Sequence, residues 1–380
     1  MKFFEDVTLQ VNKRQHPVCG DFVLCDKTMA HTLFILCDGI GSGVYANVSA
    51  IFCANRLMEL FSSGVSQRDA VEMVAASMHR ARSEDIPFAA FSMAKILNNG
   101  HFVIYSYEAP CPLIIEDGRA RPLSQHYFTA GYESVAEASG ILQLGDSLVL
   151  CSDGVTQAGL GRGSFGIGKE GLAAFINRSL RKSQDLATLA HDIVDMTAAV
   201  SGNIYADDTT VAFLNCRLAK ELTVFTGPPV DRSQDSQLAE RFLSAGGQAV
   251  ICGSSTADII SRETKREIRM RKPAAMSFDS PPEYQMEGAK MVTEGAIMLN
   301  QLYNIIDEDP RNFVEKTPAE RLCVLLQDAD VITFIVGGAL NDAHSNILFK
   351  QVGVRSRNTM VQLLIEHLRS MGKLVVEQAI

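Results

Sequence analysis

The chain has 380 residues, 47% hydrophobic and 21% charged, with a formal net charge of −9. Its length exceeds what one hydrophobic core usually supports, so two domains are expected. The acidic surplus argues against nucleic acid or an anionic membrane as partner, since both demand excess Lys and Arg, and no run of about 18 apolar residues exists to span a bilayer. The opening MKFFEDVTLQV alternates and carries acids early, unlike a signal peptide, so a cytoplasmic location is expected. Nine scattered cysteines without a CxxC pair read as buried reduced thiols. Eight histidines with no HExxH argue against a structural zinc site.

Taken in chain order, Thr8–Asn12, Phe22–Asp26 and Thr32–Cys37 have strand patterning, and long helical patterns follow over Val44–Phe61 and Arg68–Arg82. Phe88–Leu97 and His101–Tyr107 flank Asn98-Asn99-Gly100, and Pro112–Glu116 and Arg119–Leu123 flank Asp117-Gly118; both are hairpin signals, because Asn, Asp and Gly tolerate positive φ. Ser147–Cys151 is a short apolar strand preceded by a third expected hairpin turn, Gly145-Asp146. Helices are expected near Lys169–Leu180 and Leu186–Val200, and Thr209–Leu214 returns as a strand. Hairpins dominate this half, which predicts antiparallel sheets with helices outside.

From Leu222 the rhythm changes. LTVFT, QAVIC, VITFIV and KLVVEQ are apolar runs separated by helical patterns, the signature of βαβ units and a parallel sheet. The helix at Pro318–Gln327 opens on Thr317-Pro318-Ala319-Glu320, a capping box with proline in its first turn, and Gly372 is an expected helix stop. The boundary is placed near Arg217–Glu221, giving an amino-terminal domain over 1–216 and a smaller α/β domain with a mainly parallel sheet over 217–380.

The chemistry concentrates in aspartates at strand ends. Asp21 opens one strand, Asp38 follows LFILC, Asp153 follows LVLC across one serine, and Asp207-Asp208 precedes a strand. A carboxylate at the end of a buried strand is costly unless a cation or donor compensates it. Four such sites suggest convergence on Mg²⁺ or Mn²⁺, which prefer carboxylate, carbonyl and water oxygens. Glycine directly after Asp38 and Asp153 permits close backbone approach. Each Asp-Gly taken alone is ordinarily a turn, as at Asp117-Gly118.

The joint pattern GDFVLCD, DGIGSGVYANVSA, LQLGDSLVLCSDGVTQAG and ADDTTVAFL resembles the metal-dependent protein phosphatases of type 2C (PPM), in their bacterial SpoIIE-like branch, over residues ~8–216. The resemblance implies a four-layer α-β-β-α sandwich of two antiparallel sheets. It implies two Mn²⁺ or Mg²⁺ ions: Asp38 bridging both, Asp153 and Asp207 completing one site, Asp21 and the Gly39 carbonyl holding the other, and Asp208 supporting the ligands from behind. It implies hydrolysis of phosphoserine or phosphothreonine on a regulatory phosphoprotein, with catalysis by Asp38, Asp153 and Asp207 through a water activated between the ions. Ile40 stands where many eukaryotic relatives carry a histidine general acid, and a phosphate-binding arginine has no clear counterpart, Lys13 and Arg14 being the nearest basic residues. The other reading is a degenerate phosphatase fold serving as a scaffold or sensor.

Gly161-Arg162-Gly163-Ser164-Phe165-Gly166 satisfies GxGxxG, and Gly163 to Lys169 most of a P-loop, but Glu170 stands where Ser or Thr is required. The segment reads as a loop beside the metal site. In the second domain, Gly227-Pro228-Pro229, Gly253-Ser254-Ser255-Thr256 and Gly337-Gly338 follow expected strands, where open parallel sheets collect ligands. A small anionic ligand that biases the phosphatase is the functional expectation there, against ordinary βα-turn chemistry. Arg262, Lys265, Arg266 and Arg269 are expected along one helix face.

Overall fold

A computed structural model describes residues 1–14, 16–84, 86–162, 165–183, 185–271, 282–314, 317–339 and 354–380. The chain forms two compact units, Met1–Leu218 and Ala219–Ile380. Among the described residues no helix is long and apolar enough to cross a membrane.

The first unit is a four-layer α-β-β-α sandwich. Its strands are β1 (Lys2–Val11), β2 (Asp21–Lys27), β3 (His31–Gly39), β4 (Ala89–Leu97), β5 (His101–Tyr107), β6 (Leu113–Glu116), β7 (Arg119–Pro122), β8 (His126–Ala130), β9 (Glu133–Ile141), β10 (Ser147–Cys151) and β11 (Thr209–Leu218). One sheet runs β1-β11-β10-β6-β7 and the other β2-β3-β4-β5-β9-β8, with antiparallel neighbours in both. Helices α1 (Gly43–Ser62) and α2 (Gln67–Ser83) cover the second sheet, while α4 (Gly168–Ser179) and α5 (Leu186–Val200) cover the first; α3 (Asp153–Thr156) is a single turn.

Three apolar layers follow from the period-2 alternation of the strands. Phe34 and Leu36 of β3 meet Leu148, Leu150, Ala212 and Leu214 between the sheets. Their neighbours Leu33 and Ile35 turn the other way, onto Ala50 and Leu57 of α1. On the far side Val149, Val211 and Phe213 face Leu172 of α4 and Ile193 of α5.

The Asn98–Gly100 and Asp117-Gly118 hairpins form as expected, the latter with φ of 50° and 70° at its two residues. Gly145-Asp146 is not a hairpin turn. It carries the chain from β9 in one sheet to β10 in the other, and the Asp146 carboxylate folds back to accept from the Gln143 amide at 2.7 Å. The strands β8 and β9 are an addition to the sequence reading.

The second unit holds β12 (Glu221–Thr226), β13 (Gln248–Cys252), β14 (Arg269–Met270), β15 (Glu283–Gln285), β16 (Met291–Thr293), β17 (Val331–Val336) and β18 (Leu374–Ala379) in the order β14-β15-β16-β13-β12-β17-β18. The run from β16 to β18 is parallel throughout, and β14 and β15 are antiparallel additions at one edge. Helices α6 (Asp235–Leu243), α7 (Ser254–Thr264), α8 (Ala296–Ile305), α9 (Pro318–Asp328) and α10 (Arg357–Ser370) pack on both faces, giving two apolar clusters. The α9 capping box is present: Thr317 Oγ1 accepts from the Glu320 amide at 3.2 Å and Glu320 accepts from the Thr317 amide at 2.6 Å.

The expected basic helix face is not one face. Helix α7 stops at Thr264 because Lys265 takes a left-handed conformation at its cap, and Arg269 lies in β14. Arg262 is bound to Asp235 and Glu263, and Arg269 to Glu267.

Candidate metal centre

Four strand ends meet at one edge of the sandwich. Asp21, the first residue of β2, sits directly opposite Asp38 near the end of β3 in the antiparallel ladder. Ser152 and Asp153 leave β10, and Asp207-Asp208 enters β11, the strand beside it. Two contacts tie these last ends together: the Ser152 amide donates to the Thr210 carbonyl at 3.0 Å, and the Thr210 amide to Ser152 Oγ at 2.9 Å.

Glycines let the elements close on one another. A Cβ on Gly39 would stand 1.9 Å from the Ala46 carbonyl oxygen, and one on Gly154 would stand 2.0 Å from that of Asp208. A Cβ on Gly20 would lie 2.8 Å from Asp208 Oδ2. No residue larger than glycine fits at Gly39 or Gly154 without moving backbone, and at Gly20 the Asp208 carboxylate would have to shift.

Burial and mutual repulsion set the electrostatics. Asp21 is 2% exposed; one carboxylate oxygen accepts from Thr210 Oγ1 at 2.6 Å, while the other, Oδ1, is buried with no hydrogen-bond partner. Burial pushes its pKa up to about 6, and the charges of Asp208 and Asp153 add to the rise against the Thr210 and Ser152 hydroxyls. Burial, then Asp21 and Asp153, push Asp38 up to about 9. Burial and Asp207 also raise Asp153. Asp153 raises Asp38, while Asp38 acts to lower Asp153, so of the two Asp38 is the more readily protonated.

Asp207 is held by a cation from the chain itself, with Lys13 Nζ at 3.1 Å. Asp208 is 5% exposed and accepts from the Lys13 amide at 2.8 Å, so it fixes the β1–β2 connection rather than facing the cluster's centre. Among the described residues, no three Asp, Glu, His or Cys side chains draw together to the spacing of a single ion. The donor set nonetheless suits a hard cation: uncompensated buried carboxylates, one with an orphaned oxygen, beside a backbone carbonyl at Gly39.

Lys13, which the sequence offered only as one of two nearby basic residues, belongs to this site, as do the hydroxyls of Ser152 and Thr210, which the sequence reading left out. The register carries the signal for Lys13. Val11 pairs with Thr209 across β1 and β11, so two residues further on Lys13 arrives beside Asp207. Arg14 is exposed, and its amide donates to the Tyr205 carbonyl at 3.1 Å. Ile40, after Gly39, is 45% exposed and offers no proton.

A cavity of about 200 Å³ opens beside Asp207 and Thr209, lined also by Gly154, Gln157, Leu160 and Arg162. Gln157 donates to Asp153 Oδ2 at 2.9 Å and so joins the cavity to the cluster. Of the GxGxxG-like segment, Gly163 and Ser164 lie outside the described residues; Gly161 and Gly166 have φ of 79° and 87°, and α4 begins at Gly168. None of this segment stands between a first parallel strand and its helix.

The chain is similar in structure to the PP2C phosphatase domain with a regulatory fragment of SpoIIE from Bacillus subtilis, at 15% identity and a TM-score of 0.48, covering 57% of this chain and 64% of that one. It is also similar to the RsbU and RsbW domains of Rv1364c from Mycobacterium tuberculosis, at 19% identity and a TM-score of 0.49, over 69% of this chain and 75% of that one. A third likeness is to the SiaA PP2C domain of Pseudomonas aeruginosa, at 18% identity and a TM-score of 0.46, over 55% and 85% of the two chains. The chain thus spans just under two thirds of the first of these. No curated protein sequence matches it. The family model for stage II sporulation protein E (SpoIIE) matches residues 28–217, half of the chain. The chain belongs to the SpoIIE family.

Proposed function

We propose that the amino-terminal unit hydrolyses phosphoserine or phosphothreonine on a regulatory phosphoprotein, with Asp21, Asp38, Asp153, Asp207 and the Gly39 carbonyl holding two divalent cations, Mn²⁺ or Mg²⁺. The observation that carries this reading is the orphaned, buried Oδ1 of Asp21 within a cluster of mutually repelling carboxylates. Such a cluster is destabilising unless positive charge meets it. Bound there, the ions supply Lewis acidity toward phosphoryl oxygens and a water activated near neutral pH.

The chain's own residues place and balance that chemistry. The Thr210 hydroxyl fixes the Asp21 carboxylate, Ser152 Oγ locks β10 against β11, and Gln157 fixes Asp153. Asp208 holds the backbone of Lys13, whose ammonium is the nearest side-chain cation to Asp207 and is suited to a phosphate oxygen. Arg162, on the wall of the neighbouring cavity, gives a second positive group for the phosphoprotein. No side chain acts as general acid at position 40, so the leaving oxygen takes its proton from water.

The test is Mn²⁺-dependent release of phosphate from a phosphoserine peptide by the full chain and by Asp153→Asn. Loss of turnover in a variant with unchanged circular dichroism supports the reading, and equal turnover overturns it. In the same reading the carboxyl-terminal unit modulates hydrolysis by binding a small anion. A change in turnover on adding that anion checks this part.

A further inference from the structure

The parallel strands of the second unit, numbered by chain order, lie in the sheet as third (β16), second (β13), first (β12), fourth (β17) and fifth (β18). The order reverses between β12 and β17, so the connections leaving these two strands run to opposite sides. In open α/β sheets a crevice forms outside the carboxyl ends of the strands at such a point, and ligands bind there.

The residues at that point are unusual for ordinary turns. Thr226-Gly227 ends β12, Cys252-Gly253 ends β13, Thr293 ends β16, and Val336-Gly337 ends β17. They interlock: the Gly337 amide donates to the Thr226 carbonyl at 2.9 Å and the Gly253 amide to the Thr293 carbonyl at 2.7 Å. Gly227 and Gly253 have φ of 84° and 140°, and a Cβ on Gly337 would stand 2.2 Å from the Gly227 and Pro228 carbonyl oxygens. Three backbone turns are thus brought as close as glycine allows.

Three observations point to an oxyanion here. Helix α7 presents its first-turn amides at Gly253 with no side chain capping them. Thr226, Thr256 and Thr293 are 0%, 0% and 1% exposed, and each hydroxyl oxygen is buried with no hydrogen-bond partner. The Thr256 oxygen lies 3.3 Å from where a Gly253 Cβ would be, so it points into the turn. Buried hydroxyls left unpaired are destabilising, and three at one set of strand ends call for a group that completes them.

The third observation is Arg357. It opens α10, and its guanidinium closes on Gly227, where a Cβ would stand 2.3 Å from Cζ. It donates to the Gly337 and Ala339 carbonyls, each at 2.8 Å, and Nε lies 3.3 Å from Asn358 Oδ1. Among the described residues no carboxylate pairs with it, and burial alone pushes its pKa down. A partly buried guanidinium with no counter-ion, beside uncapped amides and unpaired hydroxyls, is the donor set of a phosphate site. Glu294 follows Thr293 at the same strand ends.

We propose that the crevice at the carboxyl ends of β12 and β17 binds a small phosphate monoester of the nucleotide or sugar-phosphate class, with the α7 amides, Thr256 and Arg357 taking the phosphate. This deepens the anion-binding role given to the unit, and it stands apart from the hydrolase reading because every residue named lies in residues 219–380.

Calorimetric titration of the full chain in EDTA, with AMP, inorganic phosphate and adenosine, tests it. AMP is expected to bind, phosphate to bind more weakly, and adenosine not to bind. Arg357→Met and Thr256→Val should each weaken AMP about tenfold, the loss of one good hydrogen bond. Thr256→Val removes an unpaired hydroxyl without changing shape, so its melting temperature without ligand should stay level or rise. Adenosine binding as well as AMP, absence of heat from both AMP and phosphate at millimolar concentration, or a folded Thr256→Val that binds AMP like the parent would overturn the proposal. Because chelator removes divalent ions, loss of hydrolase activity and loss of AMP binding are read separately.

Discussion

The two units collect function at strand ends by opposite geometries. In the antiparallel sandwich, starts and ends of neighbouring strands share an edge, so Asp21 at the start of β2 meets Asp38 near the end of β3. Asp153 after β10 likewise meets Asp207 before β11. In the parallel sheet one edge holds only carboxyl ends, so its turns all follow strands: Gly227, Gly253 and Gly337. The first edge gathers carboxylates, with Lys13 as the one cation paired to them among the described residues; the second gathers amides, hydroxyls and a guanidinium that no described carboxylate pairs with. Strand direction therefore decides which chemistry-bearing residues can converge, and where in a sequence to look for them.

The contrast breaks most visibly if the acidic edge is not the seat of hydrolysis. Asp153→Asn should lower Mn²⁺-dependent kcat on a phosphopeptide by on the order of 10²–10³, measured with far-ultraviolet dichroism unchanged. Next in size is a supporting residue. Asp208→Ala frees the Lys13 amide and the Gly20 packing surface, and should weaken Mn²⁺ binding by about 10–100-fold in calorimetry.

A smaller effect carries the opposite sign. Asp38 is raised by burial and by three neighbouring carboxylates, so in EDTA Asp38→Asn should stabilise the protein by about 1 kcal/mol, or ~2–4 °C in melting temperature. With Mn²⁺ in excess the order should reverse, since only the parent gains from the ions. A stabilised variant with unimpaired Mn²⁺ binding would remove Asp38 from the centre. Smallest of all, Thr226→Val in the second unit deletes an unpaired buried hydroxyl. It should raise the melting temperature without ligand by no more than about 3 °C, or roughly 1 kcal/mol.

Much of this was legible in the sequence where local chemistry and tertiary need coincide. The Asn98–Gly100 and Asp117-Gly118 hairpins carry their own φ preferences, and the four apolar runs of the second unit mark β12, β13, β17 and β18 with nearly their final limits. The aspartates stood out because a charge bounding an apolar run is locally anomalous. What escaped depends on distant partners. Glu133–Ile141 is a strand because β5 supplies its edge, and His126–Ala130 because β9 supplies the next, not because their own patterning demands it. Gly145-Asp146 has hairpin composition, yet its two flanking strands belong to different sheets, a distinction held entirely in packing. Arg262 to Arg269 has helical spacing, but Lys265 in a left-handed conformation ends the helix. Lys13 could not be told from Arg14 by sequence because its place beside Asp207 follows from the β1–β11 register, which no local window contains.

The facing of Asp21 and Asp38 also limits how chains of this kind can change in length. The pair lies at the far end of the β2–β3 ladder from the turn around Thr28 to Ala30, so their meeting depends on equal counting along both strands. One residue added within either strand would send an acid to the opposite face and dissolve the pair. Insertions in the turn itself leave the count untouched. Length drift across relatives should therefore pool at that distal bend, while the ladder between keeps an invariant tally.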